Sequence, residues 1–531
     1  MERFTLVDAI RNKINANDNL NIIFLIFLVI IVRIPHLILL SSINEPGGDG
    51  ASYYCLAKNL ALCKGYILNF KELFNSYLDT SEQFRHDISY VCSWFPPVYP
   101  VLGALFMKIF GSKIFSLILL NIFLHALSVM ILFRICRIYL DKVYSTMICI
   151  LFSLTPLIFS LSVSILSETT YVFFVLLTIL CCIQYDRKKF NSKSFIQLLI
   201  ISSFTLLTRN IAIFTIAGVF IWFLSLKQYK RSIIYFLILG TVFLFWEAGF
   251  SFLNHHHITS RYFTTWTQSR AFLGDANMLQ SGIAGMFKGV FSVKRISGIF
   301  QLIYNMPSSS FLSIIAVILI FLIAKRSRTN VENLLLIHTG ILMLASIPIR
   351  PLTERYFVVL IPLMLVSGAS LLNNKHQPMP SWLNKRVLLV TLGFLFAGFS
   401  YSALKSLKDT AMSKNDFKKL EIQYLTSGID DQSKRCMASY PMIVNHLLGN
   451  ETLILPVNAR TADQLESIVD QYRIDYFIIT SKDSEMINSD LYKHFFLKEG
   501  LIKLNSFEFV LKKMNQDVWV YSVKDTSQDK S

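Results

Sequence analysis

The run IFSLILLNIFLHALSVMILFRICRIY, from Ile114 to Tyr139, indicates the fold class of this chain. It is apolar almost throughout and is longer than the roughly 20 residues that a helix needs to cross a hydrocarbon core. Backbone amides in lipid must be satisfied within the segment, so a run of this kind forms a membrane-spanning helix. A membrane β-barrel would instead show alternating segments of about 10 residues. The run therefore predicts an α-helical membrane protein.

Similar apolar runs lie on both sides of this one and give about 11 spans in all. In chain order they are Leu20–Leu40, Ile114–Tyr139, Tyr144–Leu161, Thr169–Tyr185, Ser194–Leu207, Ile211–Leu226, Ile233–Leu253, Phe311–Ala324, Asn333–Ile349, Tyr356–Leu372 and Val387–Leu404. Of the 531 residues 53% are hydrophobic and only 16% are charged, whereas soluble domains carry about 25% charged residues. We therefore expect a polytopic membrane protein.

The net charge of +17 is explained by topology and not by nucleic-acid binding. The basic residues cluster in alternate connections between apolar runs, as the positive-inside rule requires of cytoplasmic loops. These clusters are Arg134, Arg137 and Lys142; Arg187, Lys188, Lys189 and Lys193; Lys227, Lys230 and Arg231; Lys325, Arg326 and Arg328; and Lys375, Lys385 and Arg386. A cytoplasmic N-terminus with an odd number of spans places the C-terminus outside, which in a bacterial cell is the periplasmic face of the inner membrane.

The domain organisation follows from a change of composition near residue 404. Residues 1–404 form the predicted membrane domain, with a large first outer loop at 41–97 and another outer loop at 254–310. Residues 405–531 are more polar and form a predicted soluble, periplasmic α/β domain. Its expected strands and helix are Thr452–Val457, Tyr476–Thr480, Asp517–Val523 and the amphipathic Ala462–Tyr472.

Ionisable residues from separate connections collect at the outer ends of the predicted spans. They include Asp49, Glu168, Arg209, Arg270, Arg350, Glu354 and Arg355. Guanidinium groups bind phosphate oxygens bidentately, and a carboxylate beside them suits a general base that takes a proton from an attacking hydroxyl. Together these residues suit group transfer from a lipid-linked phosphate to a nucleophile.

Each of these residues also has a structural interpretation. Asp49 can satisfy backbone amides in a turn, and Glu168 can stabilise the start of the helix that follows it. Arg350 and Glu354 stand four residues apart and can pair on a helix, while Arg209 alone suits an interfacial anchor. The cysteines expected outside, Cys55, Cys63, Cys92 and Cys436, can pair there, but their spacing does not choose partners.

The order of several short motifs resembles the GT-C glycosyltransferases. The group around glycosyltransferase family 39, with the protein O-mannosyltransferases and the lipid A aminoarabinose transferases, is the most similar. The motifs are Gly48-Asp49-Gly50-Ala51-Ser52-Tyr53-Tyr54, Phe95-Pro96-Pro97-Val98-Tyr99-Pro100, Ser167-Glu168, Leu207-Thr208-Arg209-Asn210, Arg355-Tyr356-Phe357 to Ile361-Pro362, and the outer-domain segments from Ile454 to Ile479. Each motif alone is weak, and together they cover most of the chain.

The resemblance implies a function as well as a fold. Asp49 takes the place of the family's catalytic base, which would deprotonate an acceptor hydroxyl; the donor is a polyprenyl-phosphate sugar, and transfer inverts the anomeric centre. Glu168, Arg209, Arg270, Arg350, Glu354 and Arg355 are then candidate substrate-binding residues. No metal is required by such an activated donor, although some relatives bind a divalent ion. The expected partners are the donor, membrane lipid, and an acceptor glycan, lipid or protein.

The chain departs from the family pattern at three places, which leaves the substrate open. Gly50 stands where many relatives have a second acid, Phe95 stands where the mannosyltransferases have histidine, and Trp266 is one residue farther from Arg270 than in the family's loop motif.

Two other functions compete with this one. A lipid-linked oligosaccharide ligase or polymerase usually lacks a C-terminal globular domain and has its large loop later in the chain. A transporter or flippase should show charges at mid-span and an internal repeat, whereas the charges identified here lie at the outer rim.

Overall fold

A computed structural model describes residues 2–40, 49–71, 90–91, 95–138, 140, 142–253, 330–346, 358–363, 365, 429, 431–438, 441–448, 450–455, 461–480, 490–497, 499–514 and 518–526. Within these ranges the membrane part is helical. Its helices are α1 (Glu2–Leu40), α2 (Asp49–Ala61), α3 (Val98–Phe110), α4 (Ile114–Cys136), α5 (Lys142–Leu154), α6 (Pro156–Ser162), α7 (Glu168–Arg187), α8 (Ser192–Leu206), α9 (Ala212–Ser225), α10 (Tyr229–Leu253) and α11 (Asn330–Ser346).

Four of the described helices are long and apolar enough to cross a membrane, and a bent pair makes up to five. They are Asp18–Ile38 within α1, α4, α7 and Tyr229–Trp246 within α10. The helices α8 and α9 occupy two further predicted spans, but they are shorter apolar helices of 10–17 residues. Predicted spans at Phe311–Ala324 and Val387–Leu404 lie outside the described residues, as does most of Tyr356–Leu372. The chain is thus a multi-pass membrane protein.

The predicted span Tyr144–Leu161 is wrong as a single helix. It consists of α5 and α6, which meet at an angle of 65°. Pro156, the first residue of α6, has no N–H group, and its ring clashes with the carbonyl four residues earlier. The hydrophobic run continues through the break, so hydropathy alone does not reveal it.

Arg33 in α1 lies at this break and is fully buried. Its Nη2 donates to the Ser153 carbonyl at 2.8 Å, its Nε donates to Ser162 Oγ at 2.6 Å, and its guanidinium stands 4.8 Å from the centre of the Phe159 ring. The expectation that charges keep to the rim of the bundle is therefore wrong for this residue. The arginine is accommodated because the broken helix offers oxygen acceptors that an unbroken one would use itself.

The C-terminal region, described between residues 429 and 526, contributes six of the strands of a seven-stranded sheet. Its elements are β4 (Cys436–Ala438), α12 (Pro441–Leu448), β5 (Thr452–Ile454), α13 (Ala462–Tyr472), β6 (Tyr476–Thr480), α14 (Asp490–Phe496), β7 (Leu501–Lys503), β8 (Phe507–Met514) and β9 (Val518–Asp525). Together with β2 (Phe70–Lys71), the strand order is β2-β5-β4-β6-β9-β8-β7. The strands β2, β5, β4 and β6 run parallel, and β9, β8 and β7 are antiparallel. The expected strands near residues 452, 476 and 518 and the expected helix Ala462–Tyr472 are confirmed.

One strand of this sheet comes from the loop at 41–97, which the sequence predicts to be the first outer loop. That loop contributes β1 (Ile67–Leu68), β2 (Phe70–Lys71) and β3 (Tyr90–Val91). Of these, β1 pairs with β3, whereas β2 pairs in parallel with β5, with Phe70 opposite Thr452. The loop and the C-terminal region therefore share a sheet.

The cysteines show no pairing within the described residues. Cys55 and Cys436 are buried and Cys63 is exposed, each as a free thiol. Cys92 lies outside the described part of the chain.

Candidate functional site

The helix α2 presents the predicted base at its first residue. Asp49 opens the helix and is partly exposed, whereas the residues after it are buried. The positive end of a helix dipole favours a carboxylate at this position. Tyr53 follows one turn later and therefore lies on the same helical face. Asp49 thus stands at the rim of a face that is otherwise packed against the bundle.

Ser167 joins α2 to the start of α7. Its hydroxyl lies 2.7 Å from the Tyr53 hydroxyl and accepts a hydrogen bond of 3.3 Å from Arg209 Nη1. A serine before a helix ordinarily caps it with its side chain, but the Ser167 side chain makes no such bond to α7. The hydroxyl is instead committed to contacts between separate elements.

Glu168 and Arg209 form an ion pair beside this serine. Arg209 lies in the turn between α8 and α9, and its Nη1 stands 2.5 Å from Glu168 Oε1. The glutamate side chain is 1% exposed and the arginine side chain 13%. Both are therefore largely removed from water, where charge–charge interactions are strong. Glu168 thus contacts the Arg209 guanidinium and also lies in the first turn of α7.

The Tyr53 hydroxyl lies within electrostatic range of the charged residues. Burial raises its pKa above the usual range, Glu168 and Asp49 raise it further, and Arg209 and the Ser167 hydrogen bond lower it. Each of these residues is close enough to influence the phenol electrostatically. Asp49, Glu168 and Arg209, which are far apart in sequence, are therefore brought around one side chain.

Aromatic packing holds Tyr53 in place. Its ring makes edge-to-face contacts with Phe95, at 4.8 Å between ring centres, and with Tyr99, at 5.0 Å. The Tyr99 hydroxyl accepts a hydrogen bond from Asn121 Nδ2 at 3.2 Å. Asn121 Nδ2 also donates to the Leu166 carbonyl at 3.2 Å, so the segment that leads into Ser167 is fixed by the same amide.

The segment at Pro96-Pro97 is joined to the Arg209 turn. The N–H of Val98, the first residue of α3, donates to the Leu207 carbonyl at 3.1 Å. A helix start leaves N–H groups without intrahelical partners, and here the α8–α9 turn supplies one. The motifs around residues 49, 95, 167 and 207 thus converge at one end of the bundle, which we call the site end.

The other predicted site residues lie outside the described part of the chain. They are Arg270, Arg350, Glu354 and Arg355. Within the described ranges, no three His, Cys, Asp or Glu side chains come together as a metal site would need.

Sequence reasoning assigned no role to Tyr53 or Ser167, although both stand within motifs that it singled out. The available signals were the spacing of Tyr53 four residues after Asp49, and the position of Ser167 directly before Glu168. A neutral hydroxyl can lie at the edge of a membrane span without the cost that a charge has there. Neither residue therefore stands out in the sequence in the way that an ionisable residue does.

Chemically, the site end combines a partly exposed carboxylate with a buried cation. Asp49 can accept a proton from a hydroxyl group that approaches from solvent. Arg209 carries a permanent positive charge that attracts anionic oxygens. A base and an anion-stabilising group near one another are the elements of transfer from a phosphate leaving group.

Comparison with known families supports the resemblance in part of the sequence. Residues 95–248 match the family model described as dolichyl-phosphate-mannose-protein mannosyltransferase. This range includes Ser167, Glu168 and Arg209. A search of curated protein sequences finds no match.

Comparison with solved structures extends the resemblance to most of the chain. ArnT from Cupriavidus metallidurans, solved with undecaprenyl phosphate, aligns with a TM-score of 0.57 at 10% identity, over 94% of this chain and 97% of that one. The Archaeoglobus fulgidus oligosaccharyltransferase, solved with zinc and sulfate, aligns with a TM-score of 0.53 at 12% identity, over 94% and 72% of the two chains. The oligosaccharyltransferase AglB from the same organism, in complex with an inhibitory peptide and a dolichol-phosphate, aligns with a TM-score of 0.51 at 10% identity, over 87% and 69%.

The local sequence match and the long structural alignments agree with the resemblance that the sequence motifs show. The resemblance is thereby confirmed, and the chain is a multi-pass membrane protein with the GT-C glycosyltransferase fold.

Proposed function

We propose that the chain is an inverting glycosyltransferase that moves a sugar from a polyprenyl-phosphate donor to an acceptor hydroxyl. The observation that carries this proposal is the convergence of Asp49, Glu168 and Arg209 on Tyr53 at the site end. The similarity to ArnT, whose structure contains undecaprenyl phosphate, supports a lipid-linked donor. The basic connections at the opposite end support a site on the outer face of the inner membrane.

In this mechanism Asp49 acts as the general base. Its carboxylate takes the proton from the acceptor hydroxyl as the oxygen attacks the anomeric carbon. The bond between that carbon and the donor phosphate oxygen breaks, and its electron pair leaves with the polyprenyl phosphate. Attack from the face opposite the phosphate inverts the anomeric centre.

The remaining charged residues would bind the donor and stabilise the leaving phosphate. Arg209 is the described candidate, with Glu168 and Ser167 orienting its guanidinium. Arg270, Arg350 and Arg355 are further candidates for the phosphate, and Glu354 for substrate binding. A hydrogen bond or ion pair that strengthens as charge develops on the leaving oxygens would accelerate the reaction.

A donor panel tests the proposal. Membranes that contain the protein are supplied with radiolabelled polyprenyl-phosphate hexoses and pentoses, and membranes without it serve as the control. We expect transfer from at least one donor, with a product of opposite anomeric configuration. Retention of configuration would contradict the proposed single displacement. A correctly inserted protein that transfers no sugar from any donor would favour the ligase or transporter alternatives.

A further inference from the structure

The C-terminal region contacts α2 through three asparagines, Asn59, Asn69 and Asn445. Asn59 lies on α2, ten residues after Asp49, and is 3% exposed. Its Nδ2 donates to the Ile67 carbonyl at 2.6 Å and lies 3.2 Å from Asn69 Oδ1. The far end of the helix that carries Asp49 is therefore held by the loop segment 67–69.

Asn69 faces the C-terminal region with its backbone. Its carbonyl accepts a hydrogen bond from the Thr452 N–H and another from Asn445 Nδ2, both at 3.3 Å. Directly after it, β2 pairs with β5 of the sheet. Asn69 therefore binds α2 through its side chain and the sheet through its main chain.

Asn445 belongs to α12 and is almost fully buried, at 9% exposure. Its Nδ2 also donates to the Asn450 carbonyl at 2.7 Å, within the turn that precedes β5. Both of the donors that reach the Asn69 carbonyl thus come from a part of the C-terminal region held by its own hydrogen bonds.

A small tilt of α2 would displace Asp49. Ten residues of helix span about 15 Å, so a rotation of about 4° about Asn59 moves Asp49 by about 1 Å. A displacement of about 1 Å in a reacting group can reduce a rate about 100-fold. The position of α2 at Asn59 is therefore important for a base located at Asp49.

We propose that the C-terminal region is part of the transfer machinery, in which Asn445, Asn69 and Asn59 are positioning residues that hold α2 and with it Asp49. This inference rests on the proposed glycosyl transfer, and it adds that the C-terminal region determines how fast the bound substrates react. It assigns this region a role in the reaction itself.

The test uses the full-length protein in detergent or nanodiscs and two variants that cut the connection at different places. Asn69→Ala removes the oxygen that faces Asn59 and leaves the backbone bonds to the C-terminal region. Asn445→Asp is isosteric and removes the N–H donor to the Asn69 carbonyl. Asn505→Ala is the matched control, because Asn505 lies in the same region but is exposed, and its Nδ2 donates to Asp463 within that region.

Two measurements are made on each variant. Hydrogen exchange of amides 49–61 reports the stability of α2, and steady-state kinetics with the donor from the panel separates kcat from KM. We expect exchange in α2 to be about threefold to tenfold faster in both variants, because each variant loses about one hydrogen bond that holds the helix. We expect kcat to fall about 10-fold to 100-fold with KM for the donor nearly unchanged, and no effect of Asn505→Ala.

Unchanged exchange in 49–61 in both variants would overturn the inference. Exchange of amides 476–480, in the centre of the sheet, shows whether the C-terminal region remains folded; if Asn445→Asp unfolds it, the result for Asn69→Ala decides. Faster exchange in α2 with unchanged kcat would also overturn it. Absence of transfer by the wild-type protein would instead overturn the proposed function, since the exchange measurement does not depend on activity.

Discussion

At the scale of single residues, the role proposed for the Glu168–Arg209 pair in substrate binding can be separated from its contribution to stability. Both side chains are largely buried and stand 2.5 Å apart. Removing one member of a buried pair leaves the other charge in a poor solvent and costs about 3–5 kcal/mol. Removing both charges is far less costly, because no uncompensated charge remains. Stability and activity should therefore respond differently to single and double substitutions.

Arg209→Met is expected to lower the free energy of unfolding by about 3–5 kcal/mol and to abolish transfer. Glu168→Gln/Arg209→Met is expected to recover most of the lost stability without recovering transfer, because the guanidinium is still missing. Thermal unfolding in detergent and the transfer assay make the comparison. Wild-type transfer by the double variant would mean that the pair is structural only.

The part of the site that sequence could indicate is the set of charges at span edges. Asp49, Glu168 and Arg209 stand out because an ionisable residue next to an apolar run is costly to place without a partner. Their convergence on Tyr53 could not be derived in the same way, since it depends on how α2, α7 and the α8–α9 turn pack. Arg33 was missed because one arginine does not prevent a long apolar run from scoring as a span.

At the scale of elements, helix packing depends on side chains that no hydropathy pattern reveals. The C-terminal elements Ala462–Tyr472 and Tyr476–Thr480 could be predicted because their periodicity is local. The break between α5 and α6 and the close approach of α9 to α11 could not. In the latter contact, a Cβ atom added to Gly218 would lie 3.0 Å from the ring of His338, whose side chain is fully buried.

Gly218→Ala is expected to destabilise the packing of α9 on α11 by about 1–3 kcal/mol, because the ring has to move. Gly240→Ala in α10 is the matched control, since a Cβ at that glycine meets no atom within 4 Å. There the better helix propensity of alanine should leave stability unchanged or raise it by up to about 1 kcal/mol. Thermal unfolding of both variants in detergent is the measurement.

A second background checks the cause of this effect. In His338→Ala, the ring that conflicts with residue 218 is absent, so adding Gly218→Ala should no longer lower the melting temperature. An equal loss of stability with and without the histidine would assign the effect to something other than this contact.

At the scale of the whole molecule, the loop at 41–97 and the C-terminal region share one sheet. Asn69 and Asn445 are separated by 376 positions in sequence but share a hydrogen bond, and β2 extends the sheet at β5. A two-residue strand has too little sequence to show a pattern, so this connection could not be predicted. It brings the C-terminal region to the helix that carries Asp49.

The proposed orientation places this assembly on the outer face of the membrane. Cys63 is exposed just after the end of α2. In a variant that retains only this cysteine, a membrane-impermeant maleimide should label the protein in intact spheroplasts. Lys188→Cys, at the opposite end of α7, is expected to react only after permeabilisation. The reverse pattern would place the site end in the cytoplasm.

The most direct test of the proposed mechanism compares the transfer rates of Asp49→Asn and Asp18→Asn, each purified and supplied with the donor identified by the panel. Asp18 lies in α1 and forms a partly exposed ion pair with Arg137. Neutralising Asp18 therefore controls for the loss of an acidic side chain away from the site. We expect Asp49→Asn to lose at least about 100-fold in rate, since it removes the base, while Asp18→Asn remains close to wild type. An Asp49→Asn protein that transfers sugar at the wild-type rate would contradict the assignment of Asp49 as the base and the mechanism built on it.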